Sequence, residues 1–394
     1  MKNKLCIFNP EHDLALACDD ENFNPPQSAK KFAQDLSVFP IWFSNDKCFV
    51  FDYSSSENWL NELKLKFPQL VNANIISSNS DFSEIQKLEV WGWDKTIYKQ
   101  LQGLKVDKSL FPNSEKLEKI RELSHRNLAI KAHNFISQNI NSDKVLNVSA
   151  SECCELLGVQ NFVSENLKVV VKAPWSGSGK GLQWVKNKLS DSHLGWISNI
   201  LEKQKSVILE KQYSVVQNFA MEFLCAENKA EFCGYSLFET DRGRFQYCEL
   251  MSDREILHKL CSLGVLEESF LEIQKLLIKF IQKEISPHYS GILGVDMFLY
   301  SDNSEILIHP CVEINLRLTM GYVARILFDK FINNTKKGKM FVEHNAQKGF
   351  FYEDNLTRKQ KYPLIIENNK ILSGYLSLNN VLPETSYRIY IEVS

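Results

Sequence analysis

The chain has 394 residues, 44% of them apolar and 24% charged, with a formal net charge of -2. That length allows two or three domains, and the balanced charge excludes a basic field for nucleic acid, because Lys30-Lys31 and Lys336-Lys337 are isolated pairs. The apolar start breaks at Asn9-Pro10, too early for a signal peptide, and no later apolar run nears the roughly 18 residues of a membrane span, so a cytoplasmic protein with no membrane partner is expected.

Residues 5–8 read as a strand, 28–36 as a helix, 38–43 and 48–51 as strands, 57–67 as a helix and 70–76 as a strand. Strands alternating with helices predict a parallel, helix-covered sheet, a doubly wound α/β domain over 1–113. Residues 89–94 read as a strand end, with Asp94 capping a helix to Leu101. The first βα turn, Asn9-Pro10-Glu11-His12-Asp13, lacks Gly-x-Gly-x-x-Gly, which excludes the dinucleotide fingerprint. Glu11, His12 and Asp13 still end a strand where open α/β sheets place ligands. They are candidate substrate contacts, beside the plainer reading of a helix-capping turn. Trp91-Gly92-Trp93 suits interdomain packing better than base stacking.

A polar stretch over 103–114 reads as a linker. Helical patterns follow at 115–123, 128–140 and 149–157, then strand patterns at 169–172, 182–185, 207–210, 215–224, 231–240 and 245–250. Helices are expected at 252–263 and 269–285, and strands at 291–300 and 305–317 flank the turn Ser301-Asp302-Asn303-Ser304. These elements predict an α+β domain over 114–332. Two β-like runs, 362–366 and 387–393, predict a β-containing appendage over 333–394. The ten cysteines hold no Cys-x-x-Cys and include the adjacent Cys153-Cys154, so they read as small buried apolar side chains in a reducing compartment.

Lys172 ends one strand pattern, and the chain then runs through Ser176-Gly177-Ser178-Gly179-Lys180-Gly181 before β character resumes at Leu182. A strand–loop–strand order excludes a P-loop, which needs a following helix and a longer glycine spacing. A protein kinase needs His-Arg-Asp downstream, and only His125-Arg126-Asn127 resembles it, upstream. What remains is a hairpin flap whose bare N–H groups can close over a triphosphate, with Lys172 at its base reaching the phosphates, against the alternative of an ordinary surface turn. Arg242-Gly243-Arg244 reads as a solvated turn.

Residues two apart on a strand share a face, so Glu313, Asn315 and Arg317 project together while Ile314 and Leu316 face the core. Two oxygen ligands beside a guanidinium suit a hard cation carrying phosphates. With Tyr300 paired to Glu305, Asp296 shares that face but falls opposite His309, roughly 13 Å along the strand from Glu313. A shared metal then requires a bulge, and Pro310, which cannot donate to a ladder, marks a place for one. His309 beside this face is either a substrate contact or a hydrogen-bonded structural histidine.

In this order the pieces resemble the ATP-grasp superfamily over about 117–329, with the α/β segment as the usual preceding domain. The resemblance implies that Lys172 contacts the phosphates under the flap Ser176, Gly177, Ser178, Gly179, Lys180 and Gly181. It makes Glu210, Lys211, Gln212 and Tyr213 the hinge whose backbone reads adenine, and Arg126, ahead of Lys131, the second phosphate contact. Asp296, Glu313 and Asn315 become magnesium ligands, with manganese as the alternative ion, and Arg317 faces the transferred phosphoryl group. The implied activity is an ADP-forming carboxylate–amine ligase that uses ATP to make an acyl phosphate, from which an amine displaces phosphate. A small-molecule kinase and a non-catalytic nucleotide-binding regulator are the rival readings. No motif names the small-molecule or peptide carboxylate or its amine, and a homodimer is a family-level expectation only.

Overall fold

The computed structural model describes residues 2–44, 46–77, 79–147, 150–177, 181–241 and 243–394. Its first four strands, β1 (Asn3–Ile7), β2 (Lys47–Phe51), β3 (Ala73–Ile76) and β4 (Lys87–Val90), are parallel and lie in the order β3-β2-β1-β4. The helices α1 (His12–Cys18), α2 (Gln27–Asp35), α3 (Glu57–Lys66) and α4 (Lys95–Gln102) alternate with them. The expected α/β domain is therefore present, and Asp94 caps α4 by accepting from the Ile97 N–H. The strand expected at 38–43 is instead a 3-10 turn, Phe39–Trp42. Pro40 has no N–H for a ladder, and Phe39, Ile41 and Trp42 are all buried together, an arrangement no alternating strand allows.

Two helices, α5 (Ser114–Leu123) and α6 (Asn127–Asn139), lead into a small sheet. Its strands β5 (Ser151–Cys153), β6 (Lys168–Lys172), β7 (Leu182–Lys186) and β8 (Val207–Lys211) lie in the antiparallel order β5-β8-β6-β7, against α7 (Leu156–Glu165) and α8 (Asp191–Gln204). The helix expected at 149–157 is not formed there. Ser149 lies outside the described residues, Ser151–Cys153 pairs with β8, and the helix begins at Leu156.

The larger sheet has nine strands: β9 (Ser214–Ala226), β10 (Lys229–Asp241), β11 (Arg244–Leu250), β12 (Gly291–Asp302), β13 (Glu305–Asn315), β14 (Gly338–His344), β15 (Ile365–Glu367), β16 (Lys370–Ser377) and β17 (Tyr387–Val393). Their order is β13-β12-β9-β10-β11-β14-β17-β16-β15, so the strands after residue 333 extend the same sheet through the β11–β14 pairing. Four helices, α9 (Asp253–Cys261), α10 (Glu267–Glu284), α11 (Met320–Phe331) and α12 (Phe350–Lys361), complete the fold. Among the described residues no helix is long and apolar enough to cross a membrane.

The β12–β13 hairpin differs from the simple pairing in two places. Asn303 and Ser304 both take positive φ, 46° and 71°, and Asp302 pairs with Glu305, a two-residue turn that matches strand twist. Tyr300 therefore faces Leu307, two residues beyond Glu305. A second irregularity follows: Phe298 faces His309 while Asp296 faces Glu313, so two residues on β12 span four on β13. The two shifts together bring Asp296 level with Glu313.

One core lies between the nine-stranded sheet and helices α6 and α10, and another joins the first domain to α11 and the C-terminal strands. Trp42 sits in the second, fully buried, with its indole N–H donating to the Leu378 carbonyl at 2.7 Å and its ring against Phe331. Trp42→Ala is expected to cost about 3–5 kcal/mol of stability, read as a lower denaturation midpoint.

Candidate active site

A cavity of about 1280 Å³ opens between the first βα turn, the small sheet and the face of the nine-stranded sheet. Lys172, at the end of β6, reaches into it from a buried position and places its ammonium 2.5 Å from Glu210 on β8. The other Glu210 oxygen meets His309 Nε2 at 2.7 Å. Burial alone would raise the Glu210 carboxyl, but Lys172 and His309 outweigh it and hold the group well below the usual carboxylate range. His309 is thus turned toward Glu210 and lines a small side cavity, not the main one.

Arg126, immediately before α6, ties the flap to the acidic hairpin. Its guanidinium donates to the Ala173 carbonyl at 2.6 Å, to Ser176 Oγ at 2.7 Å and to Glu313 Oε1 at 2.8 Å. Lys131, by contrast, is exposed on α6 and does not line the cavity. Ser176 and Gly177 line the cavity, whereas Ser178, Gly179 and Lys180 lie outside the described residues. Gly177 rests on Asp13: a methyl group there would lie 2.8 Å from the Asp13 Cβ. Gly181 likewise has no room for a side chain, because Ser176 fills that space.

On the facing hairpin, Asn315 donates to Asp296 Oδ2 at 3.1 Å and accepts from Arg317 at 3.0 Å. Arg317 also forms a two-pronged pair with Asp13, both contacts at 3.0 Å, which sets the plane of its guanidinium. Burial would raise the Asp13 carboxyl, yet Arg317 holds it below its ordinary value. Asp296 behaves oppositely. Burial, and then the charge of Glu313 opposite, push it up to about 7. Two carboxyls opposed across a strand pair, with an amide beside them, form an oxygen donor set that fits a hard cation. Among the described residues no three His, Cys, Asp or Glu converge on one point, so phosphates or water would complete that shell.

At the hinge, Lys211, Gln212 and Tyr213 all line the cavity. The Gln212 N–H is engaged by the Lys168 carbonyl at 3.0 Å. Tyr213 packs its ring on Tyr300 and Phe298. In the first βα turn, Glu11 lines the cavity and is pushed up to about 7 by burial. His12 turns inward instead, 3.1 Å from Asp94 and against Gly92. The Trp91 carbonyl accepts from the Leu318 N–H, an interdomain link of the kind its position predicts. Arg242 lies outside the described residues, while the exposed Arg244 reaches the cavity rim.

Several lining residues carry no sequence signal of their own. Glu343, Asp354, Arg358 and Arg388 belong to the C-terminal strands and α12, and Arg388 is fully buried between Glu343 and Asp354 at 2.6 and 2.7 Å. Glu222 on β9 accepts from Thr319 at 2.7 Å and from Ser236 at 3.1 Å. Its one available sign is a charge inside the otherwise apolar run Phe219-Ala220-Met221-Glu222-Phe223-Leu224.

No protein-family model and no curated protein sequence matches the chain. Among solved structures, the whole chain is similar to N5-carboxyaminoimidazole synthetase from Staphylococcus aureus complexed with ADP, at 15% identity over 93% of that chain with a TM-score of 0.51. It is similar to the biotin carboxylase–βγ-ATP complex from Campylobacter jejuni at 11% identity over 88% of that chain, TM-score 0.54. A third likeness is the biotin carboxylase domain of the Hydrogenobacter thermophilus 2-oxoglutarate carboxylase with MgADP and bicarbonate, at 10% identity over 85%, TM-score 0.51. These likenesses establish the fold: an ATP-grasp fold preceded by an α/β domain.

Because the folded state holds the Asp296 proton above the pH at which an unfolded chain loses it, ionising this group destabilises the fold as pH rises from about 4 through about 7. In chelator, Asp296→Asn is expected to raise the melting temperature at pH 8 by roughly 2–4 °C and to leave it unchanged near pH 3.5. Equal shifts at both pH values would contradict the assignment.

Proposed function

We propose that the chain is an ATP- and magnesium-dependent ligase that activates a carboxylate as an acyl phosphate and joins it to an amine, releasing ADP and phosphate. The observation that carries this reading is one cavity in which Lys172, Arg126 and Arg317 converge with Asp296, Glu313 and Asn315. In this reading residues 1–113 are the preceding domain, 114–332 the nucleotide-binding body and 333–394 the strands that close the far end of the cavity. The setting is cytoplasmic. The bound ADP, ATP and MgADP named for the structural neighbours support a nucleotide here too.

Lys172 and Arg126 neutralise the polyphosphate from the side of the small sheet, while the flap covers it. Asp296, Glu313 and Asn315 would hold magnesium, which supplies further neutralisation of the phosphate charge. Arg317, with its plane set by Asp13, presents its remaining N–H to the group being transferred. Val170, Trp184, Tyr213 and Phe298 supply the apolar walls for an adenine ring. No covalent protein nucleophile is needed, because a bound carboxylate held in line can itself attack the terminal phosphorus.

Hydroxylamine serves as a generic amine for testing this reading over a panel of carboxylates. Wild-type protein is expected to release ADP and form hydroxamate only with magnesium, and Glu313→Gln to lower that rate about 100-fold or more. Full activity in Glu313→Gln would remove it from the metal site. ADP release with a stable phosphorylated product and no hydroxamate would identify a kinase instead.

A further inference from the structure

Glu222 is 1% exposed, yet it lines the floor of the main cavity. It lies on β9 opposite Gly294 of β12, while Asp296 lies opposite Ala220. That diagonal puts Glu222 about 7–8 Å from Asp296 on the same face. The space for its carboxyl is made by two glycines. A methyl group on Gly294 would lie 2.8 Å from Glu222 Oε2, and one on Gly321 would overlap Oε1. Thr319 and Ser236 each donate a hydroxyl hydrogen to it, and Thr319 in turn accepts the Tyr322 N–H at the start of α11. The carboxyl is therefore held rigidly from three elements.

Among the described residues no cation forms an ion pair with it, and Arg317 acts on it only from a distance. Asp13 has Arg317, Glu210 has Lys172, Glu313 has Arg126, and Asp354 has Arg388. Among the described residues, Glu222 is fully buried and held only by hydroxyls. A buried carboxylate without a charged partner is strongly disfavoured, so the free carboxyl keeps its proton and its charged form is balanced only when a ligand brings positive charge. Glu11 also lacks a paired cation, and its Oε2 is buried without a hydrogen-bond partner, but no hydroxyls hold it in a fixed position as they hold Glu222.

We propose that Glu222 is the subsite for the amine substrate, and that it receives that substrate's nitrogen as an ammonium ion. This rests on the ligase reading only for the fate of the amine; the charge argument stands without it. The position is suitable for the reaction, since the acyl phosphate would form beside Asp296 and Glu313, one strand away. Burial, and then the neighbouring Asp296 charge, push the free Glu222 carboxyl up to about 8. A neutral amine arriving there takes the proton from it, and an ammonium ion displaces that proton; both routes end in the same ion pair, and the nitrogen returns one proton to the Glu222 carboxylate before it attacks with its lone pair. The substrate class is thus a basic amine, because only a ligand that arrives as a cation, or becomes one by taking this proton, gains an ion pair here.

The test uses n-propylammonium as the probe, with the neutral isostere 1-propanol as its control, titrated by calorimetry into the full chain with magnesium and a non-hydrolysable ATP analogue. Wild-type protein is expected to bind the ammonium saturably and the alcohol at least 10-fold more weakly. Glu222→Gln, which keeps the shape and loses the charge, is expected to weaken ammonium binding at least 10-fold, while Ser236→Ala, which keeps the charge, retains most of it. Melting curves and the affinity for the ATP analogue report whether each variant is folded. Equal ammonium binding by wild type and Glu222→Gln, or none by wild type, overturns the proposal. Failure of the ATP analogue to bind wild type counts against the ligase reading alone, and the ammonium result then still decides the subsite.

Discussion

Asp296 and Glu313 face each other because β12 and β13 slip twice, once at a tight Asn303-Ser304 turn and once at the irregularity beside Pro310. With simple pairing, Asp296 would stand against His309 and the two carboxyls could not share a cation. The slips have a cost: like charges are buried opposite one another, and Asp296 keeps its proton to about pH 7. The rest of the reacting end compensates for that pair. Arg126 takes one oxygen of Glu313, Asn315 donates to Asp296, and Arg317 stands beside both.

The same logic fixes the other cations of the cavity. Lys172 is held by Glu210, which is held by His309, so the position of the ammonium is fixed by the fold itself. Arg126 spans the flap base and the acidic hairpin, and Arg317 spans the hairpin and the first domain through Asp13. Pre-oriented charges stabilise a phosphoryl group without rearrangement during the reaction, which is where electrostatic catalysis gains most. Gly177 resting on Asp13 connects the flap to this arrangement. The position of Gly177 and the orientation of Arg317 are therefore coupled through one aspartate.

Much of this was readable from the chain. The flap was visible because β patterns flank its glycines, and Glu313-x-Asn315-x-Arg317 was visible because a strand repeats every two residues. Pro310 marked the bulge, and Ser301-Asp302-Asn303-Ser304 marked a turn but not its two-residue length. Asn303-Ser304 lacks the glycine that usually signals a two-residue hairpin, so the closer register was missed. At 38–43 the apolar run looked like a strand, although Pro40 argued against it. The helices α1, α8, α11 and α12 and the strands β14 and β16 passed unread. Their context is tertiary, since α11 packs on β10 and β11, and β16 pairs with β17. Glu222 was missed for the same reason: only the fold shows that its apolar strand borders a cavity.

The central claim is that this cavity binds a magnesium–nucleotide complex through Lys172. Calorimetric titration with a non-hydrolysable ATP analogue, with and without magnesium, in wild type and in Lys172→Ala, tests it most directly. The account predicts magnesium-dependent binding that weakens at least 10-fold in the variant, about 1.4 kcal/mol. Absence of binding in wild type, or equal affinity in Lys172→Ala, would contradict it and leave an ATP-grasp fold that does not use ATP at this site.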